Sequence, residues 1–206
     1  MYVPEHFNQQ DRQAALGLIE RYSFGLLVAG ADAASIPFVL DREQELLRCH
    51  VARANPIWRQ ALGKPVLAVF QGPHAYVSPD WYESRNQVPT WNYLAVHVHG
   101  TARELHEAAL EAHLRALVAQ EEAHLAPKPA WDLGSVDAKI IGALQQGIVG
   151  MEIALERVDA KWKLSQNRPA ADRGGVIGAL LARGGENNTA IAEAMGEREK
   201  EAGHDG

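Results

Sequence analysis

The 206-residue sequence holds a single cysteine, Cys49, so no internal disulfide framework can form and an apolar core must carry the fold. No stretch approaches the roughly 20 consecutive apolar residues that a membrane-spanning helix needs. The opening MYVPEHFNQQ lacks the basic segment followed by an apolar run that marks a secretory leader. These absences, with the lone thiol, lead to the expectation of a cytoplasmic protein. Basic runs are missing too: the net charge is −6, and the lysines and arginines are scattered, usually beside acids. Proteins that grip DNA through its phosphates concentrate positive charge on one face. Direct DNA contact is therefore disfavoured on charge alone. There is no strand–GxGxxG–helix unit and no Walker loop, which excludes Rossmann and P-loop nucleotide sites, and no GxSxG nucleophile elbow. Internal repeats and low-complexity segments are also absent.

What is present is a globular composition, 47% hydrophobic and 22% charged, enough for a sizeable core. DRQAALGLIERY (residues 11–22) places Ala15, Leu16, Leu18 and Ile19 on one side of a short helix opened by an acidic cap. SFGLLVAG, IPFVLD and LLRCHVARAN follow as strands, and Asn55-Pro56 starts a short helix through NPIWRQALG. PVLAVFQGPHAYVSP reads as two strand pieces interrupted at Gly72-Pro73. In VPTWNYLAVHVHGTAREL, Tyr93, Ala95, His97 and His99 alternate with Leu94, Val96 and Val98, the period-two pattern of a long strand. A helix is expected over residues 104–124 and another over 137–145. GIVGMEIALERVDAKWKLSQN then predicts two strands with a turn near Asp159-Ala160. The tail is helical and broken at Gly184-Gly185, and its last twenty residues are polar enough to fray. Many short strands with helices between them indicate an α+β barrel. The expected division is a main domain over 1–183 and a helical or mobile C-terminal tail over 184–206.

Three spaced blocks, HVARANP (residues 50–56), VPTWNY (88–93) and KWKLSQNR (161–168), resemble the signature segments of the PaiB family. MYVPEHF, FQGPHAYVSPDWY and GIVGMEI are similar to that family in the same order, so the resemblance covers roughly residues 1 to 180. It implies a split β-barrel with peripheral helices, FMN-binding and pyridoxamine-phosphate-oxidase-like, working as a homodimer with its cofactor between subunits. It also implies a transcriptional regulator of negative sign, acting on DNA directly or through a partner.

FMN carries a phosphate dianion that calls for cations with hydroxyl or amide donors, and a flat ring system that calls for an apolar or aromatic surface. The blocks contain these types: Arg53 with Asn55; Thr90, Trp91 and Asn92; Lys163, Ser165, Gln166 and Asn167. Each has a second reading. Asn55 before Pro56 is equally a helix cap, and Arg53 equally a carboxylate partner. Trp91 is more often core or interface than a flavin platform. Ser165, Gln166 and Asn167 could instead satisfy backbone at a strand end or at a dimer seam. Alternation would set Lys163, Ser165 and Asn167 on one strand face and Leu164 and Gln166 on the other.

His97 and His99 share a strand face, and His50 on a neighbouring strand would complete a three-imidazole zinc set. The spacings of His106, His113 and His124 make no tight cage, so no metal is expected. Haem, held by some related split barrels, is an alternative to FMN. Cys49 and His50 are adjacent strand residues facing opposite ways, which argues against a catalytic pair. A flavin-dependent oxidoreductase and a cofactor-free barrel stand as further alternatives to the regulator.

Overall fold

Asp11 opens the first helix, its Oδ1 accepting the Gln13 N–H at 2.8 Å. Helix α1 (Arg12–Arg21) then buries the expected Ala15, Leu16, Leu18 and Ile19. The computed structural model describes residues 1–204, the side chains of 107 and 201–204 apart. Strands β1 (Phe24–Ala29) and β2 (Asp32–Pro37) pair antiparallel, Phe24 opposite Pro37 and Ala29 opposite Asp32. Gly30 turns between them at φ +61°, a left-handed conformation that costs glycine little. β3 (Val39–Asp41) and β4 (Leu46–Ala52) pair antiparallel in turn, and α2 (Ile57–Ala61) follows.

The chain continues through β5 (Pro65–Val77), β6 (Thr90–Leu105), α3 (Glu107–Ala123), α4 (Ala138–Gln146), β7 (Ile148–Ala154), β8 (Arg157–Lys163), α5 (Ala170–Arg183) and α6 (Glu186–His204). The sheet order is β2-β1-β5-β6-β7-β4-β3, with β8 pairing β6. This antiparallel eight-stranded sheet with its helices is the expected α+β class.

Four local expectations are corrected. β5 runs unbroken through Gly72-Pro73, because proline's fixed φ is compatible with an extended chain and removes a single donor. β6 continues to Leu105, so α3 begins at Glu107. The turn between β7 and β8 lies at Leu155-Glu156, and Asp159 and Ala160 sit within β8, where Ala160 is buried. IPFVLD does not form one strand: β2 already takes in Asp32 and ends at Pro37, and β3 starts at Val39. The tail is helical, and α6 buries Ile191, Ala192 and Met195 while Glu199 pairs with Arg173 at 2.9 Å.

Two compact units divide the chain. One comprises residues 15–70 and 97–158. Its core gathers Leu27, Leu47, Val98, Met151 and Ile153, with Phe38 and Phe70 edge to face at 5.1 Å. Here β4 pairs β7 along its whole length, Leu46 opposite Ala154 and Ala52 opposite Ile148. Gly100 is required by close approach: a Cβ there would lie 1.9 Å from the Ala154 carbonyl oxygen. The other unit comprises residues 1–14, 71–96 and 159–206, and its core contains Val77, Leu164, Val176, Leu180, Ile191 and Met195.

Candidate functional site

Seven of the nine sequence-predicted site residues fall in the unit formed by 1–14, 71–96 and 159–206. Thr90 and Trp91 open β6, and Lys163 closes the β8 strand that pairs with it. Lys163 Nζ donates to the Thr90 hydroxyl and, at 2.6 Å, to the Trp91 carbonyl. Two of its three donors are thereby fixed on the start of β6. Its pKa is lowered, first by burial and then by the like charges of Lys161 and Arg168. A half-buried ammonium with cationic neighbours is a place where an anion is favoured.

Trp91 is the exposed partner of this pair, with 53% of its surface open. Its ring lies 5.8 Å from Tyr76, edge to face, and 6.1 Å from His74. His74 and Tyr76 are two apart on β5 and are both exposed, so the three rings form an aromatic surface facing outward. Exposed aromatic clusters of this kind mark ligand or partner contacts. Sequence reasoning missed His74 and Tyr76, although their i, i+2 spacing within PHAYV was the available signal.

Asn92, Ser165 and Gln166 frame the site. Asn92 is fully buried and Ser165 nearly so. The Asn92 amide donates to Ser165 Oγ at 3.0 Å and to Met195 Sδ at 3.4 Å. Gln166 folds back on its own turn, accepting from the Leu164 N–H at 2.8 Å and donating to the Trp162 carbonyl. The expected alternation ends at Lys163, because Ser165 adopts φ +62° and turns the chain. Ser165 is therefore buried next to Leu164 while Asn167 is exposed. Arg168 follows with its guanidinium over Tyr82, 5.1 Å from the ring centroid, and bonded to Gln87.

Arg53 and Asn55 belong to the other unit. Asn55 Oδ1 accepts the Ile57 N–H at 3.1 Å and caps α2. Arg53 Nε and Nη2 each donate at 2.8 Å, to the Gln146 and Ile148 carbonyls, clamping the end of α4 to the start of β7. In the same unit His50 Nδ1 meets His113 Nε2 at 3.0 Å. β7 separates β4 from β6, so His50 turns to α3 and not toward His97 or His99; His99 instead contacts Arg157 at 2.7 Å. Among the described residues no three His, Cys, Asp or Glu side chains are placed to share a metal ion. Cys49 is fully buried and its thiol is pushed up to about 12 by that burial, which leaves it inert as a nucleophile. No helix among the described residues is long and apolar enough to cross a membrane.

In the unit formed by 1–14, 71–96 and 159–206, a half-buried cation and an exposed aromatic surface are the chemical types that the phosphate and the flat ring system of a flavin call for. The sequence matches the family described as "Putative FMN-binding domain" over residues 1–157. It is 34% identical to "Protease synthase and sporulation protein PAI 2" of Bacillus subtilis (strain 168), over 97% of this chain and 99% of that protein. Among solved structures, an FAD and haem binding protein from Mycobacterium smegmatis superposes with a TM-score of 0.60 at 16% identity, covering 87% of this chain and 80% of that one. A flavocytochrome from Azotobacter vinelandii gives 0.56 at 13% identity, covering 78% and 72%. The shared fold is the flavin-binding split barrel anticipated from the three sequence blocks.

Proposed function

The chain belongs to the PaiB family of FMN-binding domains, and from that premise we propose that it is a flavin-binding protein that holds FMN and acts as a transcriptional regulator of negative sign. The observation that carries the cofactor reading is Lys163, half-buried among cations and anchored to Thr90 beside the exposed Trp91 ring. Lys163 would meet the phosphate. Trp91 and Tyr76 would lie against the ring system, and the buried Asn92–Ser165 pair would keep the two strand ends in register. Asn167, exposed after the turn, is available for a further amide contact. When bound, FMN supplies one- or two-electron redox chemistry that needs no acid or base from the chain.

The outward rings of His74, Tyr76 and Trp91 support a homodimer, since an exposed aromatic surface gains by being covered. The net charge of −6 and the absence of a basic run support regulation through a partner over direct DNA contact. The deciding experiment is the visible absorbance of the purified protein before and after adding FMN, read together with its elution volume. Flavin bands near 375 and 450 nm (roughly those of free flavin) that travel with a dimer-sized peak support the reading. A protein that stays colourless with excess FMN, or one that carries a Soret band, overturns it.

A further inference from the structure

Three cations gather at the end of β8 without forming an ion pair among the described residues, in a chain whose net charge is −6. Lys161 and Lys163 are two apart on β8, and Arg168 follows in the turn before α5. Lys161 is buried, its Nζ donating to the Tyr2 carbonyl at 3.2 Å and lying 5.5 Å from the Tyr93 ring. Lys163 is fastened to Thr90 and Trp91, and Arg168 Nη1 donates to Gln87 Oε1. Both of these cations are therefore held against one short stretch, residues 87–91, where the chain enters β6. The three charges are close enough that Lys161 and Arg168 both push the Lys163 pKa down.

We propose that Arg168 is a second phosphate-binding cation of the flavin site, sharing the dianion with Lys163 and the Thr90 hydroxyl, and that this set selects FMN over uncharged riboflavin. The proposal rests on the flavin reading above and adds to it a residue outside the predicted set. Arg168 is partly open to solvent, and its Nε and Nη2 make no hydrogen bond among the described residues. Asp172 feels its charge, yet Asp172 Oδ1 accepts the Ser84 N–H at 2.9 Å and Oδ2 has no hydrogen-bond partner among the described residues. The guanidinium is thus not spent on that carboxylate. Gln87 and the Tyr82 ring, 5.1 Å away, hold it in place, which lowers the ordering cost of capturing a ligand. A guanidinium presents paired N–H groups to two oxygens of one phosphate. The Thr90 hydroxyl accepts from Lys163, so its own hydrogen is free to donate to the same anion. A dianion also relieves the mutual repulsion of the three cations.

The test is fluorescence titration of the full chain with FMN and with riboflavin, which has the same ring system and no phosphate. Wild type should bind FMN at least about a hundredfold tighter than riboflavin, from two charge-assisted contacts of about tenfold or more each. Arg168→Gln should weaken FMN binding about ten- to hundredfold, and Arg168→Lys should keep part of what is lost. Gln87→Ala breaks the same Arg168–Gln87 link without removing the charge, so it should weaken FMN less than Arg168→Gln does. Equal weakening by Gln87→Ala and Arg168→Gln would make Arg168 an anchor of the 87–91 stretch and overturn the inference. Unchanged FMN affinity in Arg168→Gln also overturns it. The wild-type comparison needs no variant: near-equal affinities for the two flavins overturn the inference even where Arg168→Gln fails to fold. FMN binding by wild type alongside any of these results leaves the flavin reading standing. A wild type that binds neither flavin overturns that reading, and the inference with it.

Discussion

Asn92 and Ser165 close on each other by two hydrogen bonds, the Asn92 amide donating to Ser165 Oγ at 3.0 Å and the Ser165 hydroxyl donating to Asn92 Oδ1 at 3.2 Å. Both are buried, and the Asn92 amide also reaches Met195 on α6. Ser165→Ala strands the Asn92 carbonyl oxygen and removes one amide partner. The expected cost is about 1–3 kcal/mol, measured as a lower urea midpoint with unchanged slope. An unaltered midpoint would show that the pair does not hold this part of the fold.

His50 and His113 provide an acid-sensitive joint between β4 and α3. Burial, then the charges of His50 and Arg48, hold His113 down to about 4, and burial lowers His50 as well. In the unfolded chain both take up protons near their ordinary value of about 6.5. Between these values the unfolded state binds more protons, so stability is full above about pH 6.5 and falls as the pH drops toward 4. The His113 shift corresponds to a loss on the order of 3 kcal/mol across that window. Denaturation curves at pH 7 and pH 4.5 should differ accordingly, and His113→Leu should flatten the difference. A pH-independent wild type would contradict this account.

Lys163→Met should weaken FMN binding about ten- to hundredfold, followed by quenching of flavin fluorescence on titration. Lys163→Arg should retain more affinity than Lys163→Met, because charge is kept while the link to Thr90 is altered. Equal affinity in wild type and Lys163→Met would remove this lysine from the cofactor site.

Cys49 should resist iodoacetamide in the native protein and react once urea exposes it, since its thiol is fully buried and is pushed up to about 12. Mass spectrometry of the intact chain before and after unfolding reads the difference. Rapid labelling of the folded protein would mean that β4 opens readily.

Gly100→Ala should destabilise the fold by about 3 kcal/mol or more, because the new methyl group would meet the Ala154 carbonyl oxygen, a backbone atom with little room to retreat. Thermal melting checks it; a variant melting with wild type would mean that β6 and β7 shift apart easily.

The amino-acid sequence by itself determined the elements whose evidence is local. The alternation from Tyr93 to His99 marks β6, the apolar stripe of residues 15–19 marks α1, and three spaced blocks carry the family. Periodicity and short motifs express neighbouring residues, so they can be read without knowing what lies across the molecule. The tertiary structure alone decided what each polar side chain does. Asn55 and Gln166 carry the same amide chemistry as a ligand-binding residue, yet each is turned onto nearby backbone. Arg53 is directed to carbonyls more than 90 residues along the chain, and His50 to an imidazole 63 residues away. The ring surface of His74, Tyr76 and Trp91 exists only because β5 and β6 turn those residues outward together. Such pairings depend on which elements pack side by side, and a side chain's donors and acceptors acquire a role only once that packing has set their distances.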